Sequence, residues 1–245
     1  MKPNNLPSPF TGDTKETVNI SLGQSFQSER GLVVLGDPGG GKTTLARWIA
    51  LQLARALQLK KERVLVAASQ VNIKTLGTPD ADMLVDIGIT RLPVLIRVAD
   101  FAQHLELCHK NSHPIPSDTA LIDYLGYHPW QGTFPSYNGV ELCKEELHML
   151  ILDALQRDRA VVIVDGLDEV ANPQQRREVV SHVDKFAWQW IFGFHSVPYD
   201  SIQPRKRLVM IGQAIQKLGR PIDNGGNQLI VTSRIAGYHS APMQS

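Results

Sequence analysis

The sequence predicts an α/β fold in which a mainly parallel sheet is sandwiched between two helical layers. Three observations predict it. Short, almost wholly apolar runs at residues 32–35, 93–98, 160–164 and 229–232 alternate with longer segments of helical period. The first run stops at a glycine-rich loop that opens onto a helix, and the third delivers an aspartate at its carboxyl end.

Composition sets the bounds. A chain of 245 residues with 42% hydrophobic content suits one large α/β domain, or a domain with insertions, and a sizeable core. A net charge of +1 with 20% charged residues gives no broad electrostatic reason to expect nucleic acid or an anionic membrane as partner. The cluster Arg205, Lys206, Arg207 reads as a solvated surface. Cys108 and Cys143 lack C-x-x-C spacing and are too few for a disulfide scaffold, which favours a reducing compartment. No apolar run approaches bilayer-spanning length and the N-terminus has no signal-peptide pattern, so a cytoplasmic protein is expected.

Residues 1–30, with Pro3, Pro7 and Pro9, read as a lead-in with little structure until about Gln27, and 31–245 as the functional domain. After the first strand and its loop, Leu45, Trp48, Ile49, Leu53 and Leu57 recur at helical spacing through to Lys60 and Lys61. Residues 63–68 suit a short strand. The segment 71–91 has no steady period and carries Gly77, Pro79 and Gly88, so an insertion is expected near 60–92. Residues 93–98 form the second buried run, and Asp100 can cap a helix carrying Phe101, Leu105 and Cys108.

Ser117 or Asp118 can cap a short helix through Leu121, Ile122 and Leu125, and 127–139 is a loop pinned by Trp130 and Phe134. Residues 141–157 carry Leu142, Leu147, Leu150, Ile151, Ala154 and Leu155 on one helical stripe before the third strand. Asn172 followed by Pro173 is a helix start, with Val179, Val180, Val183, Phe186, Ala187, Trp190 and Ile191 as its buried stripe. A second insertion, 193–227, holds an amphipathic helix at about 208–218, and 229–232 supplies the last strand. His104, Cys108, His109 and His113 gather no three ligands on one helical face, and Trp188 and Trp190 suit core and rim packing.

The loop carries the chemistry. Gly36, Gly41, Lys42 and Thr43 fit G-x-x-x-x-G-K-[ST] between a strand and a helix, with Asp37, Pro38, Gly39 and Gly40 inside the loop and Thr44 after it. The glycines allow positive φ and close backbone approach, so successive amides can cradle a polyphosphate at the helix N-terminus. Lys42 can reach the β- and γ-phosphates and Thr43 can offer its hydroxyl to Mg²⁺. A nucleoside triphosphate with magnesium is the expected ligand. There is no N-K-x-D motif to select guanine, so ATP is expected before GTP.

Asp165, at the end of the third run, can hold the Mg²⁺ shell, and Gly166 leaves room beside the metal. Asp168 and Glu169 can return a second carboxylate toward the γ-phosphate to orient or deprotonate water, with Glu169 the first choice and Asp168 the other. The last strand ends in Thr232, Ser233 and Arg234. That arginine suits either a direct γ-phosphate contact or a surface ion pair.

With GDPGGGKTT, PVLIRVADFA, VVIVDGLDEV and LIVTSR in that order, residues from about 31 to 238 resemble the NACHT domain of the STAND class of P-loop NTPases. The resemblance implies an ASCE-type three-layer core of about five strands in which the strand leading to Arg234 lies between the phosphate-loop strand and the Asp165 strand. It also implies that Lys42 and Thr43 are Walker A residues, Asp165 the Walker B aspartate, and Arg234 a sensor of the γ-phosphate. It further implies slow hydrolysis as a regulatory switch, self-association through this domain, and switch domains that these 245 residues do not include. Two other readings of the residues stand beside it, a P-loop kinase or transferase acting on a small acceptor and a nucleotide-binding scaffold without turnover.

Overall fold

The computed structural model describes residues 22–67, 84–111, 120–127, 136–137, 140–141, 143–221 and 225–234. The expected caps Ser117 and Asp118, the loop residues Trp130 and Phe134, and His113 lie outside them. Four parallel strands form the main sheet: β1 (Gly31–Leu35), β4 (Leu92–Arg97), β7 (Ala160–Asp165) and β8 (Gln228–Ser233), in the spatial order β1-β8-β7-β4. Among the described residues the sheet therefore has four strands where about five were expected.

The alternation of side chains along β7 builds a three-layer sandwich. Ala160, Val162 and Val164 join Val94 and Ile96 of β4 and Leu229 and Val231 of β8 against α3 (Val98–Lys110), α4 (Ala120–Tyr127), α5 (Lys144–Gln156) and α6 (Pro173–Phe186). Val161, Ile163 and Ile230 face the other way, onto Ala46, Ile49, Leu53 and Ala56 of α2 (Lys42–Gln58). Each fully buried aliphatic side chain is worth about 1.5–3 kcal/mol, so the apolar runs that identify the strands also hold both helical layers. The α/β/α architecture is as expected.

Several local readings change. Val33 and Leu35 are exposed, because β1 has only one neighbour, β8, among the described strands. Leu57 and Leu150 lie outside their helices' buried faces. The run at 63–67 becomes β2 (Arg63–Ala67), which pairs antiparallel with β3 (Leu84–Ile89) in a separate ribbon over α2. The strand β3 falls inside the segment 71–91, which shows no steady period in the sequence. Residues 22–30, expected to have little structure before Gln27, contain α1 (Leu22–Ser28), with Phe26 buried and Gln27 Nε2 donating to the Asp86 carbonyl at 2.6 Å. Helix α3 starts directly after β4, so Asp100 lies in its first turn, 3.5 Å from Arg97, and does not cap it. Glu141 belongs to the short hairpin β5–β6 (Ser136–Tyr137 and Val140–Glu141), not to the start of α5.

Other expectations hold. Asn172 caps α6 by accepting from the amides of Gln174 and Gln175. The helix expected at about 208–218 is α7 (Pro204–Leu218), and Trp188 is buried, stacked on Phe194 at 4.1 Å. Among the described residues no helix is long and apolar enough to cross a membrane.

Asn227 joins three parts of the sandwich at the amino end of the sheet. Its Oδ1 accepts from Ala160 N–H at 3.0 Å, while Nδ2 donates to the Leu155 and Trp190 carbonyls at 2.8 and 3.0 Å. Removing it strands the buried Ala160 amide and takes a donor from the Leu155 and Trp190 carbonyls, the first of which keeps the Asp158 amide. Asn227→Ala should therefore lower stability by about 2–4 kcal/mol, read as a fall in the urea midpoint at unchanged slope.

Candidate functional site

The site lies at the carboxyl edge of the sheet, and β8 assembles it by hydrogen-bonding to β1 on one side and β7 on the other. Val34 pairs with Thr232 and Leu35 with Ser233, while Val164 pairs with Val231. The tips of three strands thus meet. The glycine-rich loop is tied to β8 by the Gly36 amide, which donates to the Ser233 carbonyl at 3.3 Å. Within the loop, Gly39 and Gly41 have φ of 76° and 77°, and the Gly40 amide closes back on the Asp37 carbonyl at 3.0 Å.

Helix α2 begins at Lys42, its N-cap is Gly41, and its first turn has neither a side-chain cap nor an acidic residue. The positive end of a 17-residue helix thus has no capping side chain and no acid of its own first turn. Lys42 Nζ donates to the carbonyls of Gly36 and Asp37 at 2.8 and 2.9 Å, which holds the ammonium against the loop.

At the tip of β7, Asp165 is buried and its Oδ1 accepts from the Thr232 hydroxyl at 2.6 Å. Thr232 Oγ1 in turn accepts from the Gly166 amide at 2.9 Å, and Thr43 Oγ1 stands 3.4 Å from the same Asp165 oxygen. Two hard oxygen donors, a hydroxyl and a carboxylate, thus face each other across the loop. That donor set suits Mg²⁺, which takes one or two protein oxygens and fills its shell with substrate phosphates and water. Among the described residues there is no group of three or more His, Cys, Asp or Glu that could hold a metal by themselves. His104 instead contacts Cys108 and Tyr124, and His109 pairs with Glu178 at 2.7 Å.

Gly166 has φ 84° and opens the 3₁₀ turn Leu167–Glu169, closed by the Glu169 amide on the Gly166 carbonyl at 2.9 Å. A Cβ at position 166 would lie 2.7 Å from Glu169 Cδ and 3.0 Å from its Oε1. The room that this glycine provides is thus taken by the Glu169 side chain. The Glu169 carboxylate is exposed and makes no hydrogen bond or ion pair among the described residues. Asp168 is different. Its Oδ1 accepts from the Arg234 amide at 2.7 Å and its Oδ2 from Arg234 Nε at 2.8 Å.

These groups converge on one cavity of about 290 Å³, lined by residues 38–44, Gly166, Asp168, Glu169, Thr232 and Arg234. Asp165 sits behind Thr43 and Thr232. Ser233, one of the two hydroxyls expected at this edge, instead donates to the Arg234 carbonyl at 3.1 Å and is not part of the lining. Reading the sequence missed the Thr232 bridge and the Asp168–Arg234 pair, because both cross between strands far apart in the chain. The only signal was that T-S-R ends an apolar run.

No family model, no curated protein and no solved structure matches the chain.

Thr232 accepts one hydrogen bond and donates another in a buried position, so the isosteric Thr232→Val leaves the Gly166 amide and one Asp165 lone pair unmatched. The expected cost is about 1–3 kcal/mol, measured as a shift of the urea unfolding midpoint.

Proposed function

We propose that the chain is the nucleotide-binding core of a regulatory NTPase like those of the NACHT domain group, binding ATP with Mg²⁺ and hydrolysing it slowly. The observation that carries this reading is the single cavity shared by an uncapped helix N-terminus, a lysine, two carboxylates and an arginine. Such a constellation matches the charge of a triphosphate from several sides. Self-association through this domain and a cytoplasmic location belong to the same reading.

The roles follow from chemistry. The amides of residue 39 and residues 41–44 receive the phosphate oxygens, and Lys42 exchanges its two carbonyl partners for the β- and γ-phosphates, where its charge gains more. Thr43 and Asp165 would hold Mg²⁺, which supplies charge neutralisation on the phosphates when bound. Arg234 meets the terminal phosphate. Glu169 is the general base: it draws a proton from water as the water oxygen bonds to the γ-phosphorus and the bridging β–γ oxygen leaves with ADP. Its freedom from other partners favours it over Asp168, whose two oxygens are engaged.

Incubating the protein with γ-labelled ATP and Mg²⁺ and separating the products tests the reading. Free phosphate is expected. A labelled acceptor would replace hydrolysis with phosphoryl transfer, and unchanged nucleotide on a binding-competent protein would leave a scaffold.

Two variants sharpen it. Lys42→Ala should weaken ATP binding by roughly ten-fold to a hundred-fold, the worth of charge-assisted hydrogen bonds, in a titration with a fluorescent ATP analogue. Glu169→Gln should bind ATP normally but hydrolyse it about 10²- to 10⁴-fold more slowly in a single turnover, since it keeps the shape and loses the basic group.

A further inference from the structure

We propose that Asp168 is the positioning residue that makes Arg234 a reader of the terminal phosphate, and that it takes no proton in the reaction. This inference rests on the nucleotide-binding reading above and goes beyond it by assigning triphosphate–diphosphate discrimination to a pair of residues.

The geometry of the pair is the ground for it. Asp168 keeps only 8% of its side chain exposed, and both of its oxygens accept from one residue: the Arg234 amide at 2.7 Å and Arg234 Nε at 2.8 Å. The Arg234 side chain is 53% exposed and forms part of the cavity wall. A guanidinium has five N–H donors, and the carboxylate engages the one nearest the main chain. The outer edge, with its four Nη hydrogens, makes no other hydrogen bond or ion pair among the described residues.

Conformational entropy gives the arrangement its consequence. An arginine side chain has many rotamers, and an unrestrained Arg234 would lose that freedom on meeting a phosphate. Asp168 removes much of that freedom beforehand by fixing both the backbone and the Nε of residue 234. The ligand then meets an arginine already held at the cavity. The carboxylate is itself fixed, because the 3₁₀ turn that bears it is closed by the Glu169 amide and packs against β8. The clamp is rigid at its base and open at its tip.

A general base needs an oxygen within reach of the water it deprotonates. Asp168 spends both oxygens on Arg234, whereas Glu169, one residue on, spends neither. The adjacent acids divide the work: Asp168 acts through Arg234, and Glu169 acts on the water.

The test compares ATP and ADP affinities by calorimetry at fixed magnesium and salt for the wild type, Asp168→Ala, Arg234→Ala and the double variant. Asp168→Ala should weaken ATP binding about ten-fold and leave ADP binding within two-fold. The double variant should be no worse than Arg234→Ala alone, because one residue works through the other. Asp168→Asn, which keeps the acceptor for the Arg234 amide but loses the charge facing Nε, should fall between wild type and Asp168→Ala, and its urea midpoint checks the fold. Equal losses for ATP and ADP in both Asp168 variants, or additive losses in the double variant, would overturn the inference. So would a wild-type ATP/ADP ratio in Asp168→Ala. A wild-type protein that binds neither nucleotide would remove the parent reading as well, so the two failures are distinguishable.

Discussion

The candidate site depends on one constraint, the insertion of β8 between β1 and β7 in parallel register. Because both ladders are parallel, all three carboxyl ends point the same way, and the groups they bear must share an edge. A strand that entered antiparallel would carry Arg234 to the opposite side of the sheet. Burial enforces the arrangement: every residue of β7 and β8 is buried, so a one-residue slip would exchange the side chains that pack on α2 with those that pack on α3–α6. The apolar core thereby fixes the position of the polar edge.

Features set by local chemistry were legible in the sequence. The tight loop between β1 and α2 needs only its run of glycines, and the start of α6 needs only Asn172 and Pro173, so both can be read from neighbouring residues. Features set by pairing across long stretches were not. Strand β3 exists because Leu84–Ile89 lies against Arg63–Ala67, and α1 exists because Phe26 is buried and the Gln228 amide donates to the Phe26 carbonyl at 2.8 Å. Neither contact leaves a periodic trace in its own segment. The same holds within the site, where each participant was visible as a type of residue but the Thr232–Asp165 and Asp168–Arg234 partnerships required the fold. Asp100 shows the converse failure: a good capping residue lost its role because β4 ran straight into the helix.

The two ends of the sheet solve opposite electrostatic problems. At the amino end, Arg91 is buried and donates to the carbonyls of Gly226 and Ile89, at 2.9 and 3.3 Å. Burial, reinforced by the charge of Arg30, brings its pKa down to about 10. Arg30 is also lowered by burial, with Asp158 opposing the shift, and it donates to the carbonyls of Leu218 and Gly219. Backbone dipoles there satisfy cations that have no room for a ligand, since even a Cβ on Gly226 would strike the Arg30 guanidinium. At the carboxyl end the cationic groups face a cavity. Lys42 rests on two carbonyls that a phosphate can replace, and Arg234 is held by one edge only. Buried arginines with fixed carbonyl partners join α7 and the strand ends; exposed ones with spare donors can exchange partners.

The spacing between Asp165 and Glu169 follows from the same economy of space. Asp165 must remain the last residue of β7 to reach Thr232, yet a second acid must return to the cavity within four residues. Only a tight reversal does this, and the positive φ at Gly166 begins it at a position where most side chains would be strained. The turn then sends Asp168 toward β8 and Glu169 back over Gly166, into the volume that a Cβ would occupy. Adjacent residues on a 3₁₀ turn point about 120° apart, so the two acids cannot face the same partner. One turn of three residues therefore yields a carboxylate committed to the neighbouring strand and another left open to the cavity, and their different partners follow from backbone geometry before any ligand enters.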